Sequence, residues 1–543
     1  MAQGASWSGQ PSIKGSTESA RMALLTASLI GVSFTWGVEM TYCTPYLLQL
    51  GLTKSRVSLV WIAGPLSGLI MQPVVGIIAD RSTSRWGRRR PFMVVGTAIV
   101  SVSLLVLGWT KEIVSVFVSD PETRKSVTIG LAVLSIYAVD FAINAVQASC
   151  RSLVVDTLPI QKQGLGSAWA ARMGAMASII GYAAGATKLN SIFGNTLGDT
   201  QFKQLTVIAA LALPLAVGIT SWAVTERVLI STGKEEEGSN GAIKMLTHIF
   251  RTATHLPNRI AAICWIQFWA WIGYFPLMFY STTWIGEIYL RYDAPAEAKQ
   301  SQDTLGQIGR VGSMCLIISS LINFASSIML PWFVISPEDE KRDFTPRPLA
   351  SLAPLVVGAD KRRPTLLTAW TVSHLVFAGS MLMAPLVSSV RFATVLIAIC
   401  AVPGAIAGWA PFTFIGIEIN RLGSTSNGHA YRRLSTDSLE LEASTLHLNH
   451  RTDDSHSSTG ELSGIYLGIL NLFTTLPQFV GTFISWIVFS ILEPGKSPEL
   501  AKEAHPDEHH STDGPNAIAV CFFIGALSVI VASYATNRLK YIR

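Results

Sequence analysis

Long apolar stretches, each close to the length of a membrane-spanning helix, alternate with shorter polar connections along the chain. About 20 apolar residues are needed per crossing, because a helix rises 1.5 Å per residue across roughly 30 Å of hydrocarbon. The pattern predicts twelve spans, six on each side of a polar segment at 225–257: 22–47, 57–79, 91–109, 127–151, 168–187, 204–224, 258–284, 308–335, 365–387, 392–416, 462–492 and 515–536. The alanines and glycines of 168–187 indicate a helix that packs against neighbouring helices rather than against lipid.

The basic residues indicate which ends of the spans lie in the cytosol. Most of the 41 Lys and Arg fall in the termini and the even-numbered connections, which favours both termini inside and an even number of crossings. The polar first residues do not have the apolar core of a cleavable signal peptide. We therefore predict an all-α membrane protein organised as a cytosolic tail (1–20), an N-terminal six-helix half (21–225), a cytosolic linker (226–257) and a C-terminal six-helix half (258–543) with a disordered cytosolic loop (421–461).

Composition and motifs exclude several function classes. Only 14% of the 543 residues are charged, whereas soluble proteins carry about 25%. An ordinary cytosolic enzyme or a nucleic-acid-binding protein is therefore not expected, although the net charge is +6. The sequence contains no P-loop, no HExxH motif and no nucleophile–base arrangement, and its six cysteines lie in or beside spans without metal-ligand spacing. We expect neither enzyme activity nor a bound metal or cofactor.

Ionisable residues inside the predicted spans are candidates for function, because charge in hydrocarbon is costly. Asp140 lies in the fourth span, and Asn144, Gln147 and Arg151 return to the same helix face. Burial disfavours the charged form of a carboxyl group, which suits a group that takes up and releases a proton. The alternative is a structural ion pair between Asp140 and an arginine of a neighbouring helix.

Glu39, Tyr42 and Tyr46 form a second polar stripe, in the first span. A carboxylate and two aromatic hydroxyls suit a polyhydroxylated ligand such as a sugar, although Glu39 can equally be the structural partner of an arginine. Arg310 lies near the start of the eighth span among glycines that allow close helix approach. It can pair with Asp140, bond sugar hydroxyls, or extend to the outer interface.

Three further features are candidates for a functional site within the membrane. Aromatic residues crowd the seventh span from Trp265 to Trp284, and some of them can line a cavity. Asn471 and Gln478 lie seven residues apart on one face of the eleventh span, where they can bond a sugar or another helix. Arg172, in the fifth span, is expected to have a structural or gating role.

The cytosolic connections carry basic clusters. Gly87-Arg88-Arg89-Arg90-Pro91 precedes the third span, and Asp360-Lys361-Arg362-Arg363-Pro364 precedes the ninth. These are corresponding positions in the two halves, and in this topology the arginines face anionic lipid. Arg432-Arg433-Leu434-Ser435 matches a basic-directed kinase site, so phosphorylation of Ser435 is a hypothesis.

Several motifs resemble those of a known transporter family. Gly76-Ile77-Ile78-Ala79-Asp80-Arg81 with Gly87-Arg88-Arg89-Arg90 resembles the loop motif of major facilitator transporters. The run from Trp61 to Pro91 resembles the sucrose transporter family, part of the glycoside–proton symporters. Further similar segments reach the eleventh span: Gln147 to Leu153, Gly306 to Ser313, Tyr466 to Leu472, and Pro477-Gln478.

The resemblance implies the major facilitator fold and proton-coupled import of sucrose or a maltose-type glucoside, with the proton as coupling ion. The family's protonation site falls on Asp140, its partner arginine on Arg151 and its eighth-span arginine on Arg310. We expect the sugar to bind residues from both halves: Glu39, Tyr42, Asn144, Arg310, Asn471 and Gln478. We expect the loop motif to latch the halves on the cytosolic side: Gly76, Asp80, Arg81, Gly87, Arg88, Arg89 and Arg90.

Departures from the plant pattern leave the sugar preference open. Glu39 stands where plant members usually have glutamine, and residues 279–284 stand where they have an aspartate-containing segment. The loop at 51–54 lacks the plant histidine. These differences resemble the fungal branch. Two alternatives remain at this point, namely a sugar sensor that signals through 421–461 and a facilitator without proton coupling. The plasma membrane is the expected location, with the vacuolar membrane as the alternative.

Overall fold

A computed structural model describes residues 6–80, 82–231, 256–295, 303–335, 363–419, 421, 453–495 and 516–542. Nearly all of these residues are helical. "Outer" and "cytosolic" are used below in the sense of the orientation predicted from the basic residues.

Ten helices build the part of the chain before residue 225. They are α1 Glu18–Thr26, α2 Ser28–Gln49, α3 Lys54–Val60, α4 Ala63–Asp80, α5 Arg90–Gly108, α6 Thr110–Phe117, α7 Pro121–Thr157, α8 Ile160–Ala186, α9 Leu189–Phe193 and α10 Gln201–Ala223. Helix α2 packs against α8 and α10, and α7 packs against α4 and α5. These contacts make the N-terminal half one packed bundle.

The part of the chain after residue 256 forms a second bundle. Its helices are α11 Asn258–Ile288, continued by a π-helical turn Tyr289–Asp293, α12 Thr304–Phe333, α13 Leu366–Leu382, a 3-10 turn Ala384–Leu386, α14 Val390–Ala407, α15 Asp453–Leu492, α16 Ala517–Arg538 and a 3-10 turn Leu539–Tyr541. Helices α11 and α16 cross so closely that a Cβ on Gly273 would lie 2.5 Å from the carbonyl oxygen of Gly525. Glycine is therefore required at this crossing.

The helices cover all twelve predicted spans, which confirms the all-α class. Within the described ranges, ten helical segments are long and apolar enough to cross a membrane, and the pair α1 and α2, bent by 42°, makes an eleventh. Helix α8, on the predicted fifth span, is 27 residues long but less apolar. The count of twelve and the cytosolic position of the termini stay predictions.

Short strands tie the N-terminal tail to the end of the first bundle. The antiparallel pairs are β1 Ser6–Ser8 with β4 Val228–Ser231, and β2 Ser12–Ile13 with β3 Val224–Thr225. The first residues of the predicted linker therefore belong to an ordered pairing with the tail. Residues 232–255 of that linker lie outside the described residues.

The two halves touch near their outer ends. Within the N-terminal half, the Tyr42 hydroxyl of α2 donates to the carbonyl oxygen of Gly185 at the end of α8, at 2.9 Å, and this bond fixes the ring of Tyr42. The ring of Tyr42 lies against α12, where a Cβ on Gly309 would meet it at 2.1 Å. Helix α3 packs against α15 at the same level. The structure is therefore closed on its outer side.

Candidate functional site

A pair of buried carboxyl groups lies in the interior of the N-terminal half. Glu39 of α2 is 2% exposed and Asp140 of α7 is 0% exposed. Their side chains interact directly with each other. Among the described residues, no backbone or side-chain donor other than this partner reaches the carboxyl oxygens. Two negative charges at this depth would repel each other without compensation, so the pair is suited to holding at least one proton.

The two arginines expected near Asp140 lie elsewhere. Arg151 is on the same helix as Asp140 but eleven residues further, which is about 16 Å along the axis. Its side chain is exposed. Arg310 pairs with Asp303, the N-cap residue of α12, at 3.5 Å. Burial raises the pKa of the Asp303 carboxyl, while Gly306 and Arg310 oppose that rise. The structure thus leaves Asp140 with Glu39 as its neighbour.

Two other predicted sugar ligands are engaged in helix packing. The Asn144 amide donates to Ser67 Oγ at 2.9 Å and accepts from Gln72 at 3.4 Å, which joins α7 to α4. Tyr42 is fully buried and uses its hydroxyl on Gly185. These polar groups hold the helices around the carboxyl pair.

The predicted residues of the eleventh span and Arg172 do not line the cavity between the two halves. Asn471 of α15 is exposed, and Gln478 donates to the carbonyl oxygen of Thr474 at 3.0 Å. Arg172 of α8 is exposed, with its guanidinium carbon 5.7 Å from the Trp169 ring centroid. These three predicted site residues therefore take no part in the cavity wall.

A cavity of about 450 Å³ separates the halves at mid-height of the helices. This volume falls in the range of small-molecule sites, roughly 300–1,000 Å³. Its lining comes from both halves: Met40, Ala175, Ser178, Tyr182, Trp271, Tyr274, Leu277, Met278, Ser281, Leu316, Ser319, Ser320, Asn323, Phe377, Ile397, Cys400, Ala401, Gly404, Ala407 and Gly408. Met40 directly follows Glu39, so the cavity adjoins the turn of α2 that carries one member of the carboxyl pair.

The cavity wall combines aromatic rings with polar groups, a combination that suits a sugar. The ring of Tyr274 packs edge-on against Phe377, with the ring centroids 4.5 Å apart. The buried hydroxyl of Tyr274 has no hydrogen-bond partner among the described residues. The Asn323 amide donates to the carbonyl oxygen of Ala401 at 3.1 Å and lies over Gly404. Its carbonyl oxygen and second N–H are therefore left to bind a ligand.

The sequence pattern indicated only part of this wall. The aromatic seventh span predicted cavity-lining rings, and Trp271 and Tyr274 of α11 do line the cavity. Sequence reasoning missed the polar face of α12. Its signal was the spacing of Ser319, Ser320 and Asn323, which places all three on adjoining positions of one helix face.

The predicted cytosolic loop motif is tied to its own half. Glu226, 6% exposed, accepts the backbone N–H groups of Arg88, Arg89 and Arg90 at 2.8–2.9 Å. The side chains of Arg88 and Arg89 bond Asp156 at 2.9 Å. Arg89 also donates to the carbonyl oxygen of Gly76 at 3.4 Å, which brings that predicted gate residue into the same network.

Gly87 has a positive φ of 107°, which a glycine adopts without strain. Arg81, the side chain of Asp80 and Ser435 lie outside the described residues, as does most of the 421–461 loop. The proposed kinase site therefore stays a prediction.

The fold matches solved membrane transporters. The structure superposes on the nucleoside transporter NupG with a TM-score of 0.54, 13% identity, and coverage of 96% of this chain and 99% of that chain. It superposes on a D-xylose–proton symporter with a TM-score of 0.51, 13% identity, and coverage of 95% and 96%. With apolar spans in two packed halves and a cavity between them, the protein has the fold of these membrane transporters.

The chain belongs to the MFS/sugar transport protein family, whose model matches residues 26–286. It is 31% identical to the general alpha-glucoside permease of Schizosaccharomyces pombe, over 96% of this chain and 94% of that protein. It is 26% identical to the sucrose transport protein SUC4 of Arabidopsis thaliana, over 89% of this chain and 87% of that protein. The family predicted from the loop motifs is confirmed.

Proposed function

We propose that this protein imports sucrose or a related α-glucoside together with a proton, by alternating opening of the two halves. The substrate class is supported by the relatives that are named as an alpha-glucoside permease and a sucrose transport protein. The plasma membrane is the proposed location, which fits uptake from outside the cell.

The observation that carries proton coupling is the buried pair of Glu39 and Asp140. When the outer side opens, water reaches the pair and a proton can neutralise one of its charges. When the cytosolic side opens, water can take the proton away. Inward movement of one positive charge is favoured by about 2.3 kcal/mol per 100 mV. A pH gradient adds about 1.4 kcal/mol per unit. No other cofactor is needed in this scheme.

The sugar is proposed to bind in the cavity between the halves, against the rings of Trp271 and Tyr274. Because Met40 lines this cavity and Glu39 precedes it, the bound sugar and the proton site touch the same turn of α2. That shared turn offers a direct route for coupling, since a change of charge at Glu39 and Asp140 alters the packing of the cavity wall. Import of one sugar would then require one protonation.

Uptake of radiolabelled sucrose and maltose by purified protein in liposomes tests this proposal. The wild-type protein should accumulate at least one of the two sugars when the outside is made acidic. Asp140→Asn should abolish this accumulation but retain exchange of labelled for unlabelled sugar, because exchange does not require the proton to leave.

The matched control is Glu122→Gln, which neutralises an exposed carboxylate in the first turn of the same helix α7. It should accumulate sugar like the wild type. Equal uptake with and without the pH gradient would instead indicate an uncoupled facilitator. Specific sugar binding without uptake or exchange would indicate a sensor.

A further inference from the structure

A cluster of charged residues closes the outer side of the molecule. Lys54, the first residue of α3, contacts Glu287 at 2.5 Å and also contacts Glu493. Lys54 belongs to the N-terminal half, whereas Glu287, in the last turn of α11, and Glu493, directly after α15, belong to the C-terminal half. Among the ion pairs formed between described residues, only those of Lys54 join the two halves.

The carboxylates of this cluster are held from the C-terminal half by further contacts. Asn516 donates to the second oxygen of Glu287 at 2.7 Å. Glu493 accepts the backbone N–H of Ala517, at the start of α16, at 3.0 Å, and Arg291 lies 3.9 Å from it. The C-terminal half thus offers a pre-positioned receptor for one cation, and Lys54 is that cation.

Burial makes this contact strong while the outer side is closed. The side chain of Lys54 is 3% exposed and that of Glu287 is 0% exposed, whereas Glu493 is 19% exposed. Removing one member of a buried ion pair leaves the other charge uncompensated and is strongly unfavourable. When the halves separate, however, water enters and solvates both partners. The contact can therefore break in each cycle without the penalty of a dry interior.

Apolar packing continues below the charges. The ring centroids of Trp61 and Phe279 of α11 lie 4.6 Å apart, and the indole N–H of Trp61 donates to Thr44 Oγ1 at 2.8 Å. Ser58 of α3 is fully buried beside Tyr280 of α11. The charged cluster therefore forms the outermost layer of an interface that must open for the cavity to reach the outside.

We propose that Lys54, Glu287 and Glu493 form an ionic latch that holds the outer side closed and is released each time the transporter turns outward. The latch is a property of the fold alone. It requires neither a particular sugar nor proton coupling, so its test does not depend on the proposed function.

Labelling of Ser58→Cys with a membrane-impermeant maleimide in intact cells measures opening of the outer side. The six native cysteines are buried, and the chain without Ser58→Cys gives their background. In the Ser58→Cys background, Lys54→Met should speed labelling about tenfold or more, because it removes the cation and leaves two facing carboxylates. The matched control is Arg56→Met, which removes an exposed cation from the same helix. It should be labelled at the rate of the protein that carries Ser58→Cys alone.

The pairwise contact is tested with Glu287→Gln. Alone it should also speed labelling, and combined with Lys54→Met it should add less than the product of the two single effects. Labelling of Lys54→Met at the rate of Arg56→Met, at equal protein abundance, would overturn the latch. Fully multiplicative effects of the two substitutions would overturn it as well.

If Lys54→Met does not reach the cell surface, Glu493→Gln provides the same test from the other half. Its amide oxygen can still accept from Ala517, so the start of α16 is preserved while the attraction to Lys54 is lost. Faster labelling supports the latch, and an unchanged rate rejects it.

Discussion

At the scale of single residues, Glu39 and Asp140 are chemically alike but are not expected to be equivalent. A glutamine usually stands at the position of Glu39 in plant members of the family that the sequence resembles. An amide at that position could donate to Asp140, and one ionisable carboxyl group would remain to bind the proton. Asp140 is therefore expected to carry the coupling, with Glu39 modulating it.

Glu39→Gln should accordingly retain sugar accumulation driven by a pH gradient, within about threefold of the wild-type rate, because the donated hydrogen bond replaces the shared proton. Asp140→Asn serves as the comparison, since it should lose accumulation. Uptake into liposomes with an acidic exterior measures both variants. A loss in Glu39→Gln as complete as in Asp140→Asn would show that the proton requires both carboxyl groups.

The cavity wall gives a second residue-level prediction. Tyr274→Phe removes only the unpartnered hydroxyl and keeps the ring packed on Phe377. We expect the KM for sugar to rise about fivefold with little change in thermal stability, since one hydrogen bond to a ligand contributes about 1 kcal/mol. Tyr534→Phe, which changes an exposed tyrosine of α16, is the control. An unchanged KM would remove Tyr274 from the sugar site.

Asn144 should behave in the opposite way. Its amide joins α7 to α4 through Ser67 and Gln72, so Asn144→Ala should lower stability by about 1–2 kcal/mol. Thermal unfolding in detergent measures this loss, and the KM of the surviving protein should stay near the wild-type value. A large rise in KM at unchanged stability would restore Asn144 to the predicted set of sugar ligands.

The contrast among these residues shows what the sequence could predict about the site. Charge inside an apolar span is visible in the sequence, and for this reason Asp140 and Glu39 stood out. The direction and partners of a polar side chain are not visible. Tyr42 and Asn144 point to neighbouring helices, whereas Asn323, which was not among the predicted site residues, lines the cavity.

At the scale of elements, apolar length predicted the long helices, because burial in lipid requires continuous hydrogen-bonded backbone, but it did not predict the short helices α6 and α9 between the spans. Breaks within the spans were harder to predict. The bend between α1 and α2 and the break between α3 and α4 occur inside single predicted stretches. Hydropathy averages over such breaks, whereas tertiary packing determines them.

The start of α5 depends on a residue far from it in sequence. The Glu226 carboxylate accepts hydrogen bonds from the three backbone N–H groups of residues 88–90. The N-cap side chain of α5 makes no capping hydrogen bond. Glu226→Ala should therefore lower stability by about 2–3 kcal/mol, because N–H groups near a helix start are stabilised by a negative charge. Glu226→Gln, with one accepting oxygen, should fall between Ala and the wild type. Thermal unfolding in detergent checks this order, and equal stability of all three proteins would contradict it.

At the scale of the whole molecule, the contact between Tyr42 and Gly309 provides an independent measure of outer closure. The glycines around Arg310 predicted a close helix approach, and the structure places the ring of Tyr42 where a side chain on residue 309 would lie. Because Tyr42 belongs to one half and Gly309 to the other, any added atom there must move the halves rather than a single helix.

Gly309→Ala should therefore disfavour the outer-closed arrangement. In the Ser58→Cys background, maleimide labelling from outside should increase in the same direction as for Lys54→Met, and net sugar uptake should fall because the return to the closed state is hindered. Gly379→Ala is the matched control, since a Cβ at Gly379 of α13 has no atom within 4 Å. Normal uptake and slow labelling in Gly309→Ala would mean that the halves close without the Tyr42 contact. Fast labelling would show that steric fit and ionic attraction act at the same outer interface, with the glycine setting how closely the halves approach and Lys54 holding them there.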